Sequence, residues 1–369
     1  MGLPMRPLHF SGLALLILAA LAGAGQAQQE VVHVYNWIDY TVDSGLRQFE
    51  RDTGIRVDNK TYDSNEILDA KLRMGGWGYD VVVPSASPFF AGQLKAGLYR
   101  KIDRSKLSGW NNIDPAILAQ VDKYDPGNQY GVPLTWGTIG IGYNVAEVKK
   151  RMPDAPVDSL AMIFDTAVLA KFKECGVVML DSPTEILPAA LRYLGLDPDS
   201  KRPDDLRQAG ALMRAVRPFV RAFDSIDYIA ALGSGEICVA YGFSGGLFQA
   251  RDRGLAATPR REIAYAAPKE GSLLWIDVAA IPKDAPHVDN AHRFIDFMLD
   301  PQIAAFTTEA TGYATANRAA RRLLSRDVVS SPMVYPPEEV RARFYTVSPG
   351  TAEQARERTR IWARIARGR

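Results

Sequence analysis

The sequence is poor in the residues that build redox and metal centres. Its 369 residues include only two cysteines and four histidines. Two cysteines exclude an iron–sulfur cluster or a cysteine-built zinc site, and the histidines, at 9, 33, 287 and 292, are too scattered along the chain to read as a metal site. Neither metal nor cofactor is expected. Excess charge of one sign is also missing: 44 Lys plus Arg oppose 42 Asp plus Glu, a formal net charge of +2. That argues against nucleic acid as a partner, because such binders draw their affinity from clustered positive charge. Beyond residue 27 no segment reads as transmembrane, and there are no repeats or low-complexity stretches. What is present is an ordinary globular balance, 47% apolar and 23% charged residues. The length suits about two domains at ~150 residues each.

The N-terminus carries the first positive signal. Residues 1–27 combine a basic Arg6, an apolar run from Leu13 to Leu21 and the small-residue end Gly25-Gln26-Ala27. This is the order of a signal peptide cut near Ala27, with an apolar run too short for a comfortable membrane span. The expectation is an exported, periplasmic protein. In an oxidising compartment Cys175 and Cys238, each in a strand-like run (CGVVML and EICVAYGF), can pair as a disulfide; the alternative is two buried thiols.

Strand-like and helical segments then alternate. VVHVYNW (31–37), IRVDNKTY (55–62) and YDVVVPSA (79–86) read as strands, with helices between them and over PFFAGQLKAGL. The Gly-rich YGVPLTWGTIGIGYN (130–144) has no helical period and suits a chain crossing between lobes. Alternation resumes with CGVVMLDSP, helices at 184–194 and 204–216, a strand at 236–243 and a helix from 244. IAYAAPKEG and LLWIDVAAIP are strand-like, Asp289 to Ala310 reads as one long helix, and GYATAN (312–317) as another crossing. The C-terminal Arg-rich stretch reads as a solvated helix capping a lobe. The order predicts open α/β sheets with right-handed crossovers. Lobe I is expected over 28–135 and about 257–308, lobe II over 136–256 and about 309–369, with passages near 134–140, 250–262 and 305–315.

Two chemistries compete. Gly242-Phe243-Ser244-Gly245-Gly246 fits the G-x-S-x-G nucleophile elbow, and Asp277 with His287 or His292 follow in the order of a Ser–Asp–His triad. No oxyanion-loop sequence precedes it, so a secreted serine hydrolase acting through Ser244 stands as the alternative reading. The other signal is a set of aromatics and acids at strand ends: Trp37, Asp39 and Tyr40, Glu185, Phe243, Trp275 and Asp277. Ligands of open α/β sheets bind at those ends, aromatic faces attract cations, and carboxylates pair with ammonium groups. These residues point to a cationic ligand.

With these segments in order, the chain resembles the periplasmic putrescine- and spermidine-binding proteins of ATP-driven polyamine transporters. The likeness runs from VYNWIDY through YDSNEILDAKL, YDVVVPSAS, PLTWGTIGIGYNV, CGVVMLDSPTE, LGSGEICVAYGFSG, APKEGSLLWIDV and YATAN to YPPEEVRARFYT. It implies a two-lobe type II periplasmic-binding-protein fold, each lobe a mainly parallel α/β sheet, joined by crossing strands and closing on a linear amine. It implies a monomer that delivers ligand to a membrane permease; a protein that only senses amines would share the pocket. By resemblance, Trp37, Tyr40 and Tyr313 are aromatic walls, Asp39 and Asp277 ammonium partners, and Glu185 an acid of the second lobe. Ser85 and Ser225 are polar contacts, Phe243 stands where the family has tryptophan, and Trp275 where it has an aromatic. Cys175 and Cys238 match the family's paired cysteines.

Two departures bear on specificity. Where the putrescine binders end this glycine-rich stretch with a ligand-contacting aspartate, the chain has Gly246, and a polar position is Ile38. The expectation is weaker putrescine binding than in those relatives, restored by Gly246→Asp.

Overall fold

The computed structural model describes residues 1–2, 29–38, 40 and 43–367. The expected signal peptide and Asp39 lie outside the described residues. The described residues form ten strands: β1 (Val31–Trp37), β2 (Arg56–Tyr62), β3 (Val81–Val82), β4 (Gly131–Asn144), β5 (Val177–Met179), β6 (Ala222–Phe223), β7 (Val239–Phe243), β8 (Ile263–Ala266), β9 (Leu274–Ala280) and β10 (Ala314–Thr315). They are ordered β2-β1-β3-β9-β4-β7-β5-β6, with β8 and β10 also paired to β4. β1 lies parallel to β2 and β3, and β5 parallel to β6 and β7. Between these two parallel sets runs β4, antiparallel to every strand it meets.

β4 explains the architecture. Its first half, Gly131–Thr138, pairs with β9, and its second half pairs with β7 and β8. Each half serves a different core. One core gathers Val32, Val34, Phe49, Leu68, Val81, Ile276 and Ile295; the other gathers Ile163, Leu169, Val178, Leu187, Leu206, Leu232 and Ile361. Burial of such side chains contributes about 1.5–3 kcal/mol each, so each body has its own source of stability. Packing assigns two stretches differently from the boundaries expected above. β8 sits with the second body through Ile263, and Ala314, Val328 and Met333 pack in the first core. The chain therefore returns to the first body through 267–273, after β8, while 250–256 belongs to the helix Ser244–Ala256.

Two elements differ from the expected ones for local reasons. The long helix over 289–310 is two helices, Val288–Met298 and Pro301–Thr311. Pro301 cannot donate a helix hydrogen bond and instead occupies a first turn, where the Asp300 side chain accepts from the backbone N–H groups of Gln302 and Ile303 at 2.8 and 3.2 Å. The third strand shrinks to Val81–Val82, because Pro84 interrupts it and the backbone coils at Ala86–Phe90.

Parallel pairing of β5 with β7 places Val177 opposite Val239, so the cysteines just ahead of the two strands are neighbours. Cys175 and Cys238 form a disulfide with Cα atoms 5.6 Å apart. Among the described residues, no helix is long and apolar enough to cross a membrane.

Candidate functional site

A cleft enclosing about 560 Å³, its open mouth included, lies between the two cores. The first body lines it with Trp37, Ile38, Tyr40, Asp63, Asn65, Ser85 and Asp277, the second with Glu185, Ser225, Ile226, Ile229 and Phe243. Trp275 and Tyr313 complete the wall. Nine of the ten ligand-site residues expected from sequence meet here. The tenth, Asp39, lies outside the described residues.

Asp277 sits on β9, which is buried along nearly its whole length, so this one acid lies among apolar neighbours; it is 2% exposed. An isolated bridge brings Ser85 beside it, and the Ser85 hydroxyl donates to Asp277 Oδ1 at 2.6 Å. The Tyr40 hydroxyl donates to Oδ2. Ser85 is itself fixed by Asn65: its N–H donates to Asn65 Oδ1 at 3.1 Å, and its Oγ accepts from Asn65 Nδ2 at 3.0 Å. These donors hold the carboxylate in one orientation.

Glu185 occupies the first turn of the helix Pro183–Tyr193. Its Oε2 is buried with no hydrogen-bond partner among the described residues. Burial pushes its carboxyl well above the ordinary range, and the neighbouring carboxylates of Glu66 and Asp277 push it further. Burial also raises Glu66. Across the cleft, the Thr184 hydroxyl donates to Glu66 Oε1 at 2.7 Å, linking the helix Asn65–Met74 of the first body to that of Glu185 in the second. Ser225 has a positioning contact: its hydroxyl accepts the N–H of Asp181 at 3.1 Å.

The rings form a continuous row. Trp37 and Tyr40 centroids are 6.3 Å apart, Tyr40 and Tyr313 5.1 Å, Tyr313 and Trp275 5.2 Å, and Trp275 and Phe243 6.1 Å. Trp37 is anchored by its indole N–H, which donates to Val83 O at 2.9 Å. No Lys or Arg is among the described residues lining the cleft. A groove walled by ring faces and three carboxylates (Asp63, Glu185 and Asp277) is built to take positive charge.

The glycines after Phe243 serve these rings. A Cβ on Gly245 would stand 2.4 Å from Tyr313, and one on Gly246 would stand 2.2 Å from the Tyr228 hydroxyl. Tyr228, 2% exposed, accepts the N–H of Phe243 at 3.1 Å. The position at which the sequence suggested adding an aspartate is thus already filled by a tyrosine hydroxyl. The hydrolase triad does not assemble. Ser244 is 2% exposed, and its Oγ accepts the N–H of Thr138 at 3.3 Å. His292 is held by Val288 O and the Asp103 N–H, His287 lies against Asp80, and Asp277 serves Ser85 and Tyr40.

Sequence reasoning missed Asp63, Asn65, Ile226 and Ile229. Asp63 and Asn65 follow β2 directly, so the strand-end rule that found Trp37 applies equally to them. Ile226 and Ile229 carry no such signal, being apolar residues around a helix start.

Residues 46–333 match the family described as bacterial extracellular solute-binding protein. The chain is 45% identical over 359 residues to the putrescine-binding periplasmic protein SpuD of Pseudomonas aeruginosa, covering 97% of this chain and 98% of that one. It is 42% identical to the putrescine-binding periplasmic protein PotF of Escherichia coli, covering 96% of each. Its fold matches a putative spermidine/putrescine ABC transporter protein from Listeria monocytogenes with a TM-score of 0.83 at 30% identity, over 92% of this chain and 100% of that one. SpuD and PotF are both described as binding proteins. The chain is a member of the bacterial extracellular solute-binding protein family.

Proposed function

We propose that this chain captures a small linear amine carrying two ammonium groups, putrescine or a near homologue, and hands it to the permease of an ABC transporter. The observation that carries the reading is a cleft with three carboxylates, a row of aromatic rings and, among its described lining residues, no basic side chain. Asp277, preoriented by Ser85 and Tyr40, takes one ammonium, and the unpaired Oε2 of Glu185 is the acceptor on the second body. Methylene groups lie along the rings, and by the resemblance Asp39 is a further ammonium partner. Phe243 and the Tyr228 hydroxyl replace a carboxylate at the Gly246 end, so one ammonium has fewer partners there.

The two bodies act as lobes that close over the ligand about β4 and the 267–273 passage, so that a permease reading the closed form responds to loaded protein. The protein acts as an exported monomer, cut near Ala27. Titration calorimetry with putrescine, cadaverine, agmatine and spermidine, against glutamate as an anionic control, tests the ligand class. Saturable binding of diamines but not glutamate supports it; the reverse preference overturns it. Solution scattering tests closure, since identical radii with and without saturating ligand exclude it.

A further inference from the structure

The scatter of histidines along the sequence is undone by the fold. His33, the third residue of β1, and His287, at the start of the helix Val288–Met298, have ring centroids 5.5 Å apart. Asp80 lies between them, and one donor atom from each of the three residues lies within 4.8 Å of the other two. The cluster stands four residues upstream of Trp37 on β1, roughly 13 Å along the strand from the amine cleft.

We propose that His33, Asp80 and His287 form a binding site for one divalent cation of the zinc type. Asp80 is fully buried and held at both oxygens. Its Oδ2 accepts the backbone N–H of His33 at 2.8 Å, and its Oδ1 accepts that of His287 at 2.6 Å. The imidazoles are oriented by carboxylates: His33 Nδ1 lies 3.0 Å from Asp58 Oδ2, and His287 Nδ1 lies 3.0 Å from Asp80 Oδ2. Asp58 faces His33 from the paired position on β2 and is itself approached by Lys60 at 3.4 Å. Asp58 behind His33 is the usual outer shell of a metal site, a carboxylate that fixes the ligating ring and raises its basicity, while the His287 contact is with Asp80, itself one of the three ligands.

The geometry needs only a small adjustment. Zinc–nitrogen and zinc–oxygen bonds of about 2.0–2.2 Å in a tetrahedron put donors about 3.4 Å apart. The His33 and His287 side chains are 29% and 37% exposed, so both rings can pivot by the required ångström while Asp80 stays fixed. Two imidazoles and one carboxylate suit zinc, nickel or copper, whereas calcium takes 6–8 oxygen ligands. Water supplies the fourth position. When His287 bonds the ion through Nδ1, its proton sits on Nε2 as the other neutral tautomer. The ion would pin β1, the segment entering β3 and the helix Val288–Met298 to one another, a staple within the first body.

The test is zinc titration calorimetry and thermal unfolding on tag-free protein. One equivalent of zinc should bind saturably and raise the unfolding temperature. His33→Gln and His287→Gln should each weaken zinc at least about tenfold and remove the thermal shift, as loss of one ligand from a three-residue set requires. Both variants should bind putrescine as the parent does, which shows that they are folded. Cobalt(II) should give tetrahedral visible bands in the parent and not in either variant. Absence of saturable zinc binding in the parent, or unchanged binding in both variants, overturns the proposal and leaves the cluster as a histidine–aspartate tie between loops.

Discussion

Gly246→Asp asks whether the missing acid of this cleft can simply be put back. In isolation the new carboxylate should strengthen diamine binding by ~1.5–3 kcal/mol, the contribution of one charge-assisted hydrogen bond. The surroundings oppose it. A Cβ at Gly246 would lie 2.2 Å from the Tyr228 hydroxyl, 3.0 Å from its ring carbon Cζ and 3.0 Å from Ile229 Cδ1. The hydroxyl must therefore retreat by about an ångström, yet Tyr228 is buried and accepts the Phe243 N–H at 3.1 Å. Inserting atoms into such a packed place costs about 1–3 kcal/mol. Displacing the tyrosine also frees the backbone of Phe243, a wall of the cleft. We therefore expect Gly246→Asp alone to lower stability by about 1–3 kcal/mol without the full gain in putrescine affinity. Tyr228→Phe removes the closest atom, so the double variant should recover part of both, with a coupling of at least ~0.5 kcal/mol. Urea unfolding and titration calorimetry on the four proteins of the cycle measure the two terms. A single Gly246→Asp protein as stable as the parent and binding putrescine more tightly would refute the argument that Tyr228 blocks this position.

Glu185 predicts a pH dependence. Burial and its acidic neighbours raise its carboxyl, so the protonated form is favoured below the raised value and gives way to the ionised form as pH rises through it. An ammonium ligand needs the ionised form, so amine affinity should rise with pH above the ordinary carboxylate range, by at most tenfold per pH unit for one proton, and then level off. Glu185→Gln should flatten that slope; an identical slope in calorimetry would remove Glu185 from the ligand set. Trp275→Ala and Trp37→Ala should each weaken binding by ~0.5–2 kcal/mol through loss of a cation–π face, less than any loss of a paired acid. Replacing both Cys175 and Cys238 with alanine should lower unfolding stability by about 2–4 kcal/mol, because their 63-residue separation closes a long loop; a change below about 0.5 kcal/mol in urea unfolding would contradict it.

How far the sequence was legible depended on the scale of the signal. Period and β-branching marked the strands, and the Gly-rich run at 130–144 was correctly a crossing, because β4 has no helical pattern and serves both sheets. The break at Asp300-Pro301 was legible in principle, but apolar spacing continued through it, since the two helices pack on neighbouring surfaces. The aromatic and acidic strand ends were readable because side chains at those ends must face the cleft. What could not be read is what depends on distance between remote segments. Neither the seating of Tyr228 against Gly246 nor the meeting of Glu66 with Thr184 is encoded in any local pattern. The convergence of His33 with His287, 254 positions away, is the extreme case.

The cation-site assignment rests most heavily on Asp277, so Asp277→Asn with putrescine titration is its most direct measurement. Asparagine keeps the shape of the side chain and can still meet Ser85 and Tyr40, while the negative charge is lost. Removing one partner of a buried ion pair costs about 3–5 kcal/mol, so affinity should fall by roughly two to four decades while the fold is retained. A folded Asp277→Asn protein that binds putrescine within about 1 kcal/mol of the parent, well below that cost, would contradict the assignment of this cleft to cationic amines.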